Sequence, residues 1–524
     1  MKKRNLVINR LRIAVYVLLI SMVVTLSRLV DIQIIKGSSF QEMADANRTF
    51  TQYTPRQRGL VLDRFGNTLV VNEALYYKSL NPEGLYSDKT LIDRNSALQL
   101  MATESGVVTM ELRRNYLLGP AAGHIIGYTG PVTADDLQKD SDLTTIDLVG
   151  KQGLEKIFDT IVRGRVGKDI FEVDALGKKQ KLLQSTLGVP GNSLQTTLDP
   201  FLTEVAYQAM GNKTGAVVIQ DSSSGEVLAL VSTPGFDPNL LTMRYGDEDL
   251  ERARQQSVSE SFSHPQQLFF NRALSGAYPP GSVFKLVTAA AGLSSGALDT
   301  TTTVEDKGVL EVGEYSYSNW YFTQYGSVEG TIGLQRSIAR SNDIFFYKAA
   351  EWIGPEKLAA VAREFGFGKR TGIELQSEST GTVPDPAWKE ETFGERWYLG
   401  NTYHFGIGQG DLSVTPLQVS QMTQAIANRG SLCPPHLIKK SRSECVGLSI
   451  MDEDLETIVA GMIDACSTGG TAYPLFPWNV SRFKEDSTPY EAVNNGTIAC
   501  KTGTAEFGAT DERGYKKTHG WFTM

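Results

Sequence analysis

A charge-free apolar segment near the N-terminus constrains this chain more than any other feature. Residues 13–27 carry no charged side chain and follow a leader with five Lys and Arg residues between positions 2 and 12. The run is shorter than the roughly 20 residues that span a bilayer, but Arg12 and Arg28 can snorkel and apolar residues extend the segment. No small-x-small cleavage site follows, which favours an uncleaved anchor over a cleaved signal peptide. We therefore predict a cytoplasmic tail at 1–12 and one transmembrane helix at 13–35, with the remainder outside the cytoplasmic membrane.

Length and composition indicate a folded protein of more than one domain. The chain has 524 residues, which exceeds one compact core, and its 41% apolar and 21% charged residues are ordinary for globular domains. The formal net charge is -8, and no basic stripe interleaved with aromatic residues occurs. We therefore expect no nucleic-acid partner.

The sequence pattern changes near residue 195. Residues 36–195 contain short strand-like runs, at 59–62 and 68–71, that are broken by Gly, Asn and Asp. The turn sequence Val189-Pro190-Gly191-Asn192 closes this region. We expect an extended, mixed domain here.

Residues 196–524 predict an α+β domain. An amphipathic helix at 200–210 and a hairpin over 216–232 come first, and helical segments then dominate to residue 430. Strand-like sequence returns at 497–507 and 519–524. Strands at both ends of a domain with helices between them are typical of an antiparallel sheet that distant segments complete.

Four cysteines lie in the last quarter of the chain, at Cys433, Cys445, Cys466 and Cys500. They show no C-x-x-C spacing and no nearby histidine pair, so they do not predict a zinc site. Isolated structural thiols are the favoured interpretation. A disulfide between Cys433 and Cys445 is the alternative interpretation if the domain lies outside the cell, where an oxidising environment permits one.

Ser282 and Lys285 form the sharpest local pattern with chemical meaning. Pro279-Pro280-Gly281 ends one element, and a helix is predicted to begin at Ser282, which places the two side chains one turn apart on one face. A serine hydroxyl needs a neighbouring base to become a nucleophile, and a lysine provides one when burial lowers its pKa. The apolar run after Ser282 predicts such burial. The helix N-terminus also offers N–H donors to an anionic intermediate.

Two further motifs are informative only through their context. Lys501-Thr502-Gly503 follows an apolar run and lies in a predicted strand, whereas the same motif at 213–215 only enters a strand and is interpreted as chance. A second Ser-x-x-Lys at 481–484 lies in a polar, proline-flanked stretch and is interpreted in the same way. Ser341-Asn342-Asp343 stands between two helical stretches, and on its own it is typical of a helix cap.

Taken together in chain order, these three elements form the motif set of penicillin-binding proteins and serine β-lactamases. The chain resembles the class B penicillin-binding proteins, and within them the elongation-type, penicillin-binding protein 2-like peptidoglycan D,D-transpeptidases. Further stretches that carry this resemblance are 58–64, 123–128 and 153–156 in the pedestal and 406–418 in the catalytic domain. The resemblance implies a transpeptidase domain at 196–524 on a pedestal, dimerisation-like domain at 36–195.

The resemblance also implies a reaction. Ser282 would attack the penultimate D-Ala carbonyl of a peptidoglycan stem peptide, Lys285 would take the proton and Ser341 would relay it. An amine of a neighbouring stem peptide would then attack the acyl-enzyme. Asp343 stands where the family usually has Asn, and its carboxylate can pair with Lys285 or Lys501. Such pairing would raise the lysine pKa and oppose its function as a base unless burial compensates.

The motif at residue 501 is implied to bind the substrate. Lys501, Thr502 and Thr504 would hold the terminal carboxylate, and Gly503 would let the substrate backbone approach closely. The backbone N–H groups of Ser282 and Thr504 would form the oxyanion hole.

The resemblance also bears on metals and on the C-terminus. Some elongation-type members resemble those that carry a zinc site near the second motif, with His and Cys ligands. Residues 300–345 contain neither residue type, so we predict no metal and no cofactor. Family members usually continue with a further strand and a C-terminal helix, so we expect a sequence truncated at its C-terminus.

The implied ligands are peptidoglycan stem peptides and β-lactam antibiotics, and the implied partner is a polytopic membrane glycan polymerase. Three alternatives remain. A penicillin hydrolase needs a base that activates water, and no separate Glu is identifiable for it. A D,D-carboxypeptidase differs only in its acceptor, which is water. A non-catalytic β-lactam sensor or scaffold would retain the serine without turnover.

Overall fold

A computed structural model describes residues 2–524 with several gaps. The residues outside the description are 41–47, 55, 80–88, 104–106, 175–177, 244, 246, 440–443, 476–497 and 510–515, together with the side chains of residues 2–7 and 474. The second Ser-x-x-Lys copy, at 481–484, therefore lies outside the described residues.

The chain forms two compact units. The first contains Met1–Arg58, Glu73–Arg113 and Arg163–Gly191, and the second contains Gly59–Asn72, Arg114–Val162 and Asn192–Met524. The last crossing between the units, after Gly191, lies close to the predicted boundary near residue 195. The extents 36–195 and 196–524 stay predictions.

A long N-terminal helix opens the first unit. The α-helix Lys2–Val30 continues as a π-helical turn at Asp31–Ile35. Residues Ile8–Ile35 have a mean hydropathy of 2.3 over their most apolar stretch, and none of that stretch is buried. At 1.5 Å per residue, 28 residues extend about 42 Å, which is enough by length and composition to cross a bilayer.

The remainder of the first unit is mostly β-structure. Strands Thr49–Thr54, Gly167–Val173 and Lys179–Thr186 form a three-stranded antiparallel sheet. Strand Lys89–Ile92 pairs with the end of strand Thr68–Ser79, which includes the predicted run at 68–71. The remaining described elements of this part of the chain are helix Arg94–Thr103 and strand Val108–Tyr116.

The second unit has the predicted α+β composition. Its α-helices are Gly123–Ile126, Ala134–Lys139, Gly153–Ile157, Asp159–Val162, Pro200–Met210, Asn239–Thr242, Glu248–Ser263, Lys285–Ser294, Trp320–Tyr325, Leu334–Arg340, Asp343–Ile353, Pro355–Glu364, Pro386–Phe393, Leu399–Gly406, Pro416–Ala427 and Asp452–Cys466. Its strands are Val61–Leu62, Thr129–Pro131, Leu148–Gly150, Leu194–Gln195, Gly215–Gln220, Val227–Thr233, Thr303–Asp306, Val309–Val312, Tyr315–Ser318, Gly330–Gly333, Ser431–Leu432, Val446–Gly447, Lys501–Phe507 and Lys517–Thr523.

Helix Lys285–Ser294 is the centre of the larger core. Every residue from Lys285 to Leu293 is buried, and the helix packs against Asp343–Ile353, Pro355–Glu364 and Asp452–Cys466. The small side chains of residues 289–291 let these helices approach closely. The helix that begins beside Ser282 is therefore fixed on all sides.

Two antiparallel hairpins lie where strands were predicted, but in the described residues they form two separate two-stranded sheets and not the one sheet that was expected. Strand Gly215–Gln220 pairs with Val227–Thr233, and Lys501–Phe507 pairs with Lys517–Thr523. A cavity of about 870 Å³ lies between the first strand of one hairpin, the second strand of the other and helix Pro416–Ala427. Ser282, Lys285 and Lys501 do not line this cavity.

All four cysteines are paired. Cys433 is bonded to Cys445, and Cys466 is bonded to Cys500. The interpretation as isolated thiols is therefore wrong, and the Cys433–Cys445 disulfide is confirmed. The second bond was missed because residues 34 positions apart in sequence are brought together only by the packing of the helix that ends at Cys466.

Candidate active site

Ser282 lies in a 3-10 turn at the start of the buried helix. The turn spans Gly281–Phe284, and the α-helix begins at Lys285, so the predicted α-helical start at Ser282 is wrong by one turn. In a 3-10 helix the side chains at i and i+3 eclipse, which aligns Ser282 with Lys285 more directly than an α-helix would. Ser282 is half-buried.

A close backbone contact explains the tight turn. Gly281 has a φ of +55°, its N–H donates to the Gly408 carbonyl at 2.8 Å, and a Cβ at Gly281 would lie 2.5 Å from the Thr504 carbonyl oxygen. Glycine is the residue that adopts this conformation without steric cost. The strand that carries Thr504 therefore lies directly against the turn that carries Ser282.

The ε-amine of Lys285 is fully buried and faces the second motif. Its Nζ donates to the Ser341 carbonyl at 2.7 Å, to Ser341 Oγ at 3.3 Å and to Asp343 Oδ1 at 2.6 Å. Among the described residues, the Ser282 hydroxyl has no hydrogen-bond partner, so the amine is engaged with the second motif and not with the nucleophile. Of the two pairings that the sequence left open for Asp343, the structure has the one with Lys285.

The second motif forms a sharp turn between two helices. Ser341 has a φ of +53° and ends helix Leu334–Arg340, and Asn342 caps helix Asp343–Ile353 by accepting from the Phe345 N–H at 2.9 Å. Asn342 therefore serves as the cap that the motif predicted. This leaves Ser341 and Asp343 free to contact Lys285.

The third motif lies in a strand whose residues alternate between two faces. Lys501, Gly503 and Ala505 are buried, whereas Thr502 is half-buried and Thr504 is exposed. This alternation fits the strand that was predicted for the motif. The buried Lys501 amine donates to the Thr502 carbonyl at 2.9 Å, and the Thr502 hydroxyl contacts that of Thr471 at 2.8 Å.

Burial dominates the electrostatics of both lysines. Burial lowers the pKa of Lys285, although the charge of Asp343 and its hydrogen bond act to raise it. Burial also holds the pKa of Lys501 well below its ordinary value, and the nearby positive charge of Lys285 lowers it further, against the influence of Asp343. The net result for Lys285 is a lowered pKa, since burial outweighs its ion pair with Asp343.

The sequence analysis missed two polar residues beneath the second motif, Asp306 and Asn319. Asp306 is almost fully buried, and its Oδ2 accepts from the Asn319 and Asn342 side-chain amides, each at 2.7 Å. The only local signal was Asp306-Lys307-Gly308, which is a turn signature.

Within the described residues, no group of three or more His, Cys, Asp or Glu side chains is placed to hold a metal ion, and the absence of a metal stays a prediction.

Comparisons with known proteins agree with this architecture. Residues 215–523 match the penicillin binding protein transpeptidase domain family, and residues 102–196 match the penicillin-binding protein dimerisation domain family. The peptidoglycan D,D-transpeptidase MrdA of Acinetobacter baumannii is 30% identical over 526 residues, which cover 89% of this chain and 76% of that protein.

Solved structures extend the similarity to the fold. Penicillin-binding protein PBP2 of Helicobacter pylori in complex with MreC has a TM-score of 0.72 at 26% identity, covering 90% of this chain and 91% of that chain. A chain from a peptidoglycan synthase complex that coordinates polymerization and crosslinking has a TM-score of 0.71 at 25% identity, and the match covers 95% of this chain and 89% of that chain.

Proposed function

The chain belongs to the penicillin-binding transpeptidases of the elongation-type class B group, and we propose that Ser282 is its acyl-accepting nucleophile. It is a peptidoglycan D,D-transpeptidase that cross-links stem peptides and is acylated by β-lactams. The observation that carries the proposal is the packing of the Ser282 turn against the strand of Lys501 and Thr504, with the fully buried Lys285 amine bonded to the second motif.

The proton leaves Ser282 through Lys285 and Ser341. A protonated lysine has three N–H donors, and the three acceptors around Lys285 Nζ occupy all of them. When the amine is neutral, a lone pair replaces one of its N–H donors. The hydrogen bond to Ser341 Oγ is the longest of the three, at 3.3 Å, and it is the one whose direction we expect to reverse. The Ser341 hydroxyl then donates to Lys285 and accepts the Ser282 proton.

The acylation step balances through this relay. A bond forms between Ser282 Oγ and the penultimate D-Ala carbonyl carbon, and the amide C–N bond to the terminal D-Ala breaks. The Ser282 proton passes to the departing amine. In the second half-reaction the amine of a neighbouring stem peptide forms an amide bond to the ester carbon, the bond between that carbon and Ser282 Oγ breaks, and one proton of the amine returns to Ser282 Oγ.

The strand at Lys501–Phe507 binds the donor peptide. The Thr502 and Thr504 side chains lie on its accessible face and bind the terminal carboxylate, while Gly503 keeps the strand close to the Ser282 turn. The backbone N–H groups of Ser282 and Thr504 stabilise the oxyanion. Lys501 acts from beneath the strand, since an arriving carboxylate favours the charged form of its amine and raises its pKa again.

The apolar N-terminal helix fits a single-pass anchor in the cytoplasmic membrane, with the catalytic unit outside. Fractionation of the full chain tests this assignment. Leu18→Arg with Val23→Arg adds about 2.5 to 3.5 kcal/mol per charge at the bilayer centre, so the variant leaves the membrane fraction. Leu18→Met with Val23→Ile keeps the helix apolar and is the control; equal membrane retention of both variants counts against the anchor.

The partner we propose is a polytopic membrane glycan polymerase. The proposal rests on the similarity to a chain of a peptidoglycan synthase complex that coordinates polymerization with crosslinking. Crosslinking in membranes followed by purification of the full chain tests it. Recovery of a membrane polymerase with the wild-type chain is expected, and recovery of the chain alone contradicts it.

One assay separates the transpeptidase from its alternatives. The full chain is incubated with a stem peptide that ends in D-Ala-D-Ala and with an amine acceptor, and the products are separated by mass. A transpeptidase forms the amide with the acceptor, a D,D-carboxypeptidase only hydrolyses, and a sensor does neither. With a labelled penicillin, rapid release of label identifies a hydrolase, and stable label that is lost in Ser282→Ala identifies the transpeptidase.

A further inference from the structure

A buried carboxylate beneath the second motif is the strongest unexplained feature of the catalytic unit. Asp306 is 1% exposed and ends strand Thr303–Asp306. Its Oδ1 accepts from the Gly308 N–H at 2.7 Å, and its Oδ2 accepts from the two Asn side-chain amides and from the Glu329 N–H at 3.2 Å. Four donors surround one carboxylate, and no cation among the described residues pairs with it. A charge held in this way is costly unless every acceptor site is used.

The carboxylate fixes the orientation of two amides. A carboxylate only accepts hydrogen bonds, so the Asn319 and Asn342 NH₂ groups must face Asp306 and their oxygens must face away. The Asn319 oxygen accepts from the Asp343 N–H at 3.2 Å, and the Asn342 oxygen accepts from the Phe345 N–H. Both oxygens therefore hold the first turn of helix Asp343–Ile353.

The same segment also holds the Asp343 side chain. The Trp320 N–H, which follows Asn319 in the chain, donates to Asp343 Oδ2 at 2.9 Å. The other carboxylate oxygen, Oδ1, accepts from Lys285. Asp343 is thus fixed at its backbone by Asn319 and at its side chain by Trp320, and the position of the Lys285 amine follows from both contacts.

Ser341 depends on the same anchor. Its φ of +53° is in the left-handed region, which a non-glycine residue adopts only at a steric cost. Asn342, which follows it, is tied on one side to Asp306 and on the other to the Phe345 N–H. The strained turn that presents the Ser341 carbonyl and hydroxyl to Lys285 is therefore held from below.

We propose that Asp306 is a positioning residue for acylation, which holds the Ser341-Asn342-Asp343 turn against Lys285 through the Asn319 and Asn342 side chains. The inference rests on the proposed function, in which Lys285 and Ser341 move the proton of Ser282. Asp306 touches neither substrate nor the reacting atoms, and it acts only through the two amides.

Asp306→Asn tests the proposal with minimal change in volume. An Asn side chain has only one acceptor oxygen, so its NH₂ group must face either the Gly308 N–H or the two Asn amides. In either orientation, N–H donors face each other with no acceptor between them. We expect the limiting rate constant of acylation by a labelled penicillin to fall roughly 10- to 100-fold, because a small misplacement of a catalytic group has an effect of this size. The penicillin concentration that gives half the limiting rate should not change, since the strand that binds the ligand is untouched.

A coupling measurement separates positioning from general destabilisation. If Asp306 acts through Asp343, the substitution Asp306→Asn costs less than about 3-fold once Asp343→Asn is present. Additive effects, or an unchanged limiting rate constant in Asp306→Asn, overturn the proposal. The control is Asp385→Asn, which removes a carboxylate that caps helix Pro386–Phe393 and pairs with Arg363, remote from this network; its limiting rate constant stays at the wild-type value.

Two further variants keep every outcome decisive. If Asp306→Asn does not fold, Asn319→Ala takes its place, because it removes only the link between Asp306 and the Asp343 N–H; the same fall and the same coupling to Asp343→Asn are expected, and their absence overturns the proposal. Ser282→Ala tests the underlying function. If Ser282→Ala is still acylated, the proposed function fails; if it is not acylated while Asp306→Asn matches the wild type, only the positioning role fails.

Discussion

The ε-amine of Lys285 lies 2.6 Å from Asp343 Oδ1, in a position where the lysine is fully buried. Burial lowers the pKa of Lys285, and the carboxylate raises it by a smaller amount. The pair therefore combines two properties that a general base needs. The amine loses its proton more readily than an exposed lysine, and it stays fixed in one place.

Asp343→Asn should move the pH dependence of acylation to lower pH. Only the neutral Lys285 amine accepts a proton, so the acylation rate rises as the pH passes upward through the Lys285 pKa. The substitution removes the negative charge that raises this pKa, so the pKa falls and the rise occurs at lower pH. The limiting rate at high pH should also fall, because the charged carboxylate oxygen that accepts from the Lys285 amine is replaced by a neutral amide group, which holds the amine less firmly.

Acylation rate constants for a labelled penicillin, measured across the pH range for both proteins, check this prediction. A rise at the same pH, or at a higher pH than in the wild type, contradicts the assignment of Asp343 as the group that raises the Lys285 pKa.

The local parts of the site were predictable from the sequence. Ser282 and Lys285 are three residues apart, so any helical geometry brings them to one face. The strand at Lys501 was predictable because residue faces alternate with a period of two, and the structure has Lys501 buried and Thr504 exposed.

The parts that depend on distant contacts were not predictable. The 3-10 turn at Ser282 arises because Gly281 is held against Gly408 and Thr504, which lie more than a hundred residues away in the chain. Asp306 and Asn319 carry ordinary turn and cap signals, and nothing local indicates that their side chains meet beneath Asn342. The Cys466–Cys500 bond was missed for the same reason.

Gly408→Ala should disrupt the site through a backbone clash. A Cβ at Gly408 would lie 2.1 Å from the Gly281 carbonyl oxygen, and its φ is +77°. The Gly281 turn must shift, so we expect the acylation rate constant to fall about 10-fold or more. The left-handed conformation adds a stability cost of about 1 kcal/mol.

Gly394→Ala is the matched control for this substitution. Gly394 has a similar φ of +69°, but nothing lies within 4 Å of its added Cβ. It should lower the melting temperature slightly and leave the acylation rate constant unchanged. Equal acylation by both variants would contradict the role of the Gly408 contact in shaping the Ser282 turn.

The four cysteines should resist alkylation until the protein is reduced. Both disulfides are closed, and Cys500 directly precedes Lys501 with no exposed surface. Intact mass after treatment with an alkylating reagent should show no added groups in the unfolded, unreduced chain. After reduction it should show four added groups.

A single substitution identifies the partner of each cysteine. Cys466→Ala should leave one alkylated thiol in the unfolded, unreduced chain, at Cys500, whereas Cys445→Ala should leave one at Cys433. Alkylation of the unreduced wild type would show that the thiols are free. Chain-entropy arguments give each bond about 3 to 4 kcal/mol of stabilisation.

Intact-mass measurement after exposure to benzylpenicillin tests the central claim most directly. The wild-type chain should gain the mass of one penicillin, peptide mapping should place the adduct on Ser282, and Ser282→Ala should gain nothing. An adduct that persists in Ser282→Ala, or a wild-type chain that gains no mass, would contradict the assignment of Ser282 as the nucleophile.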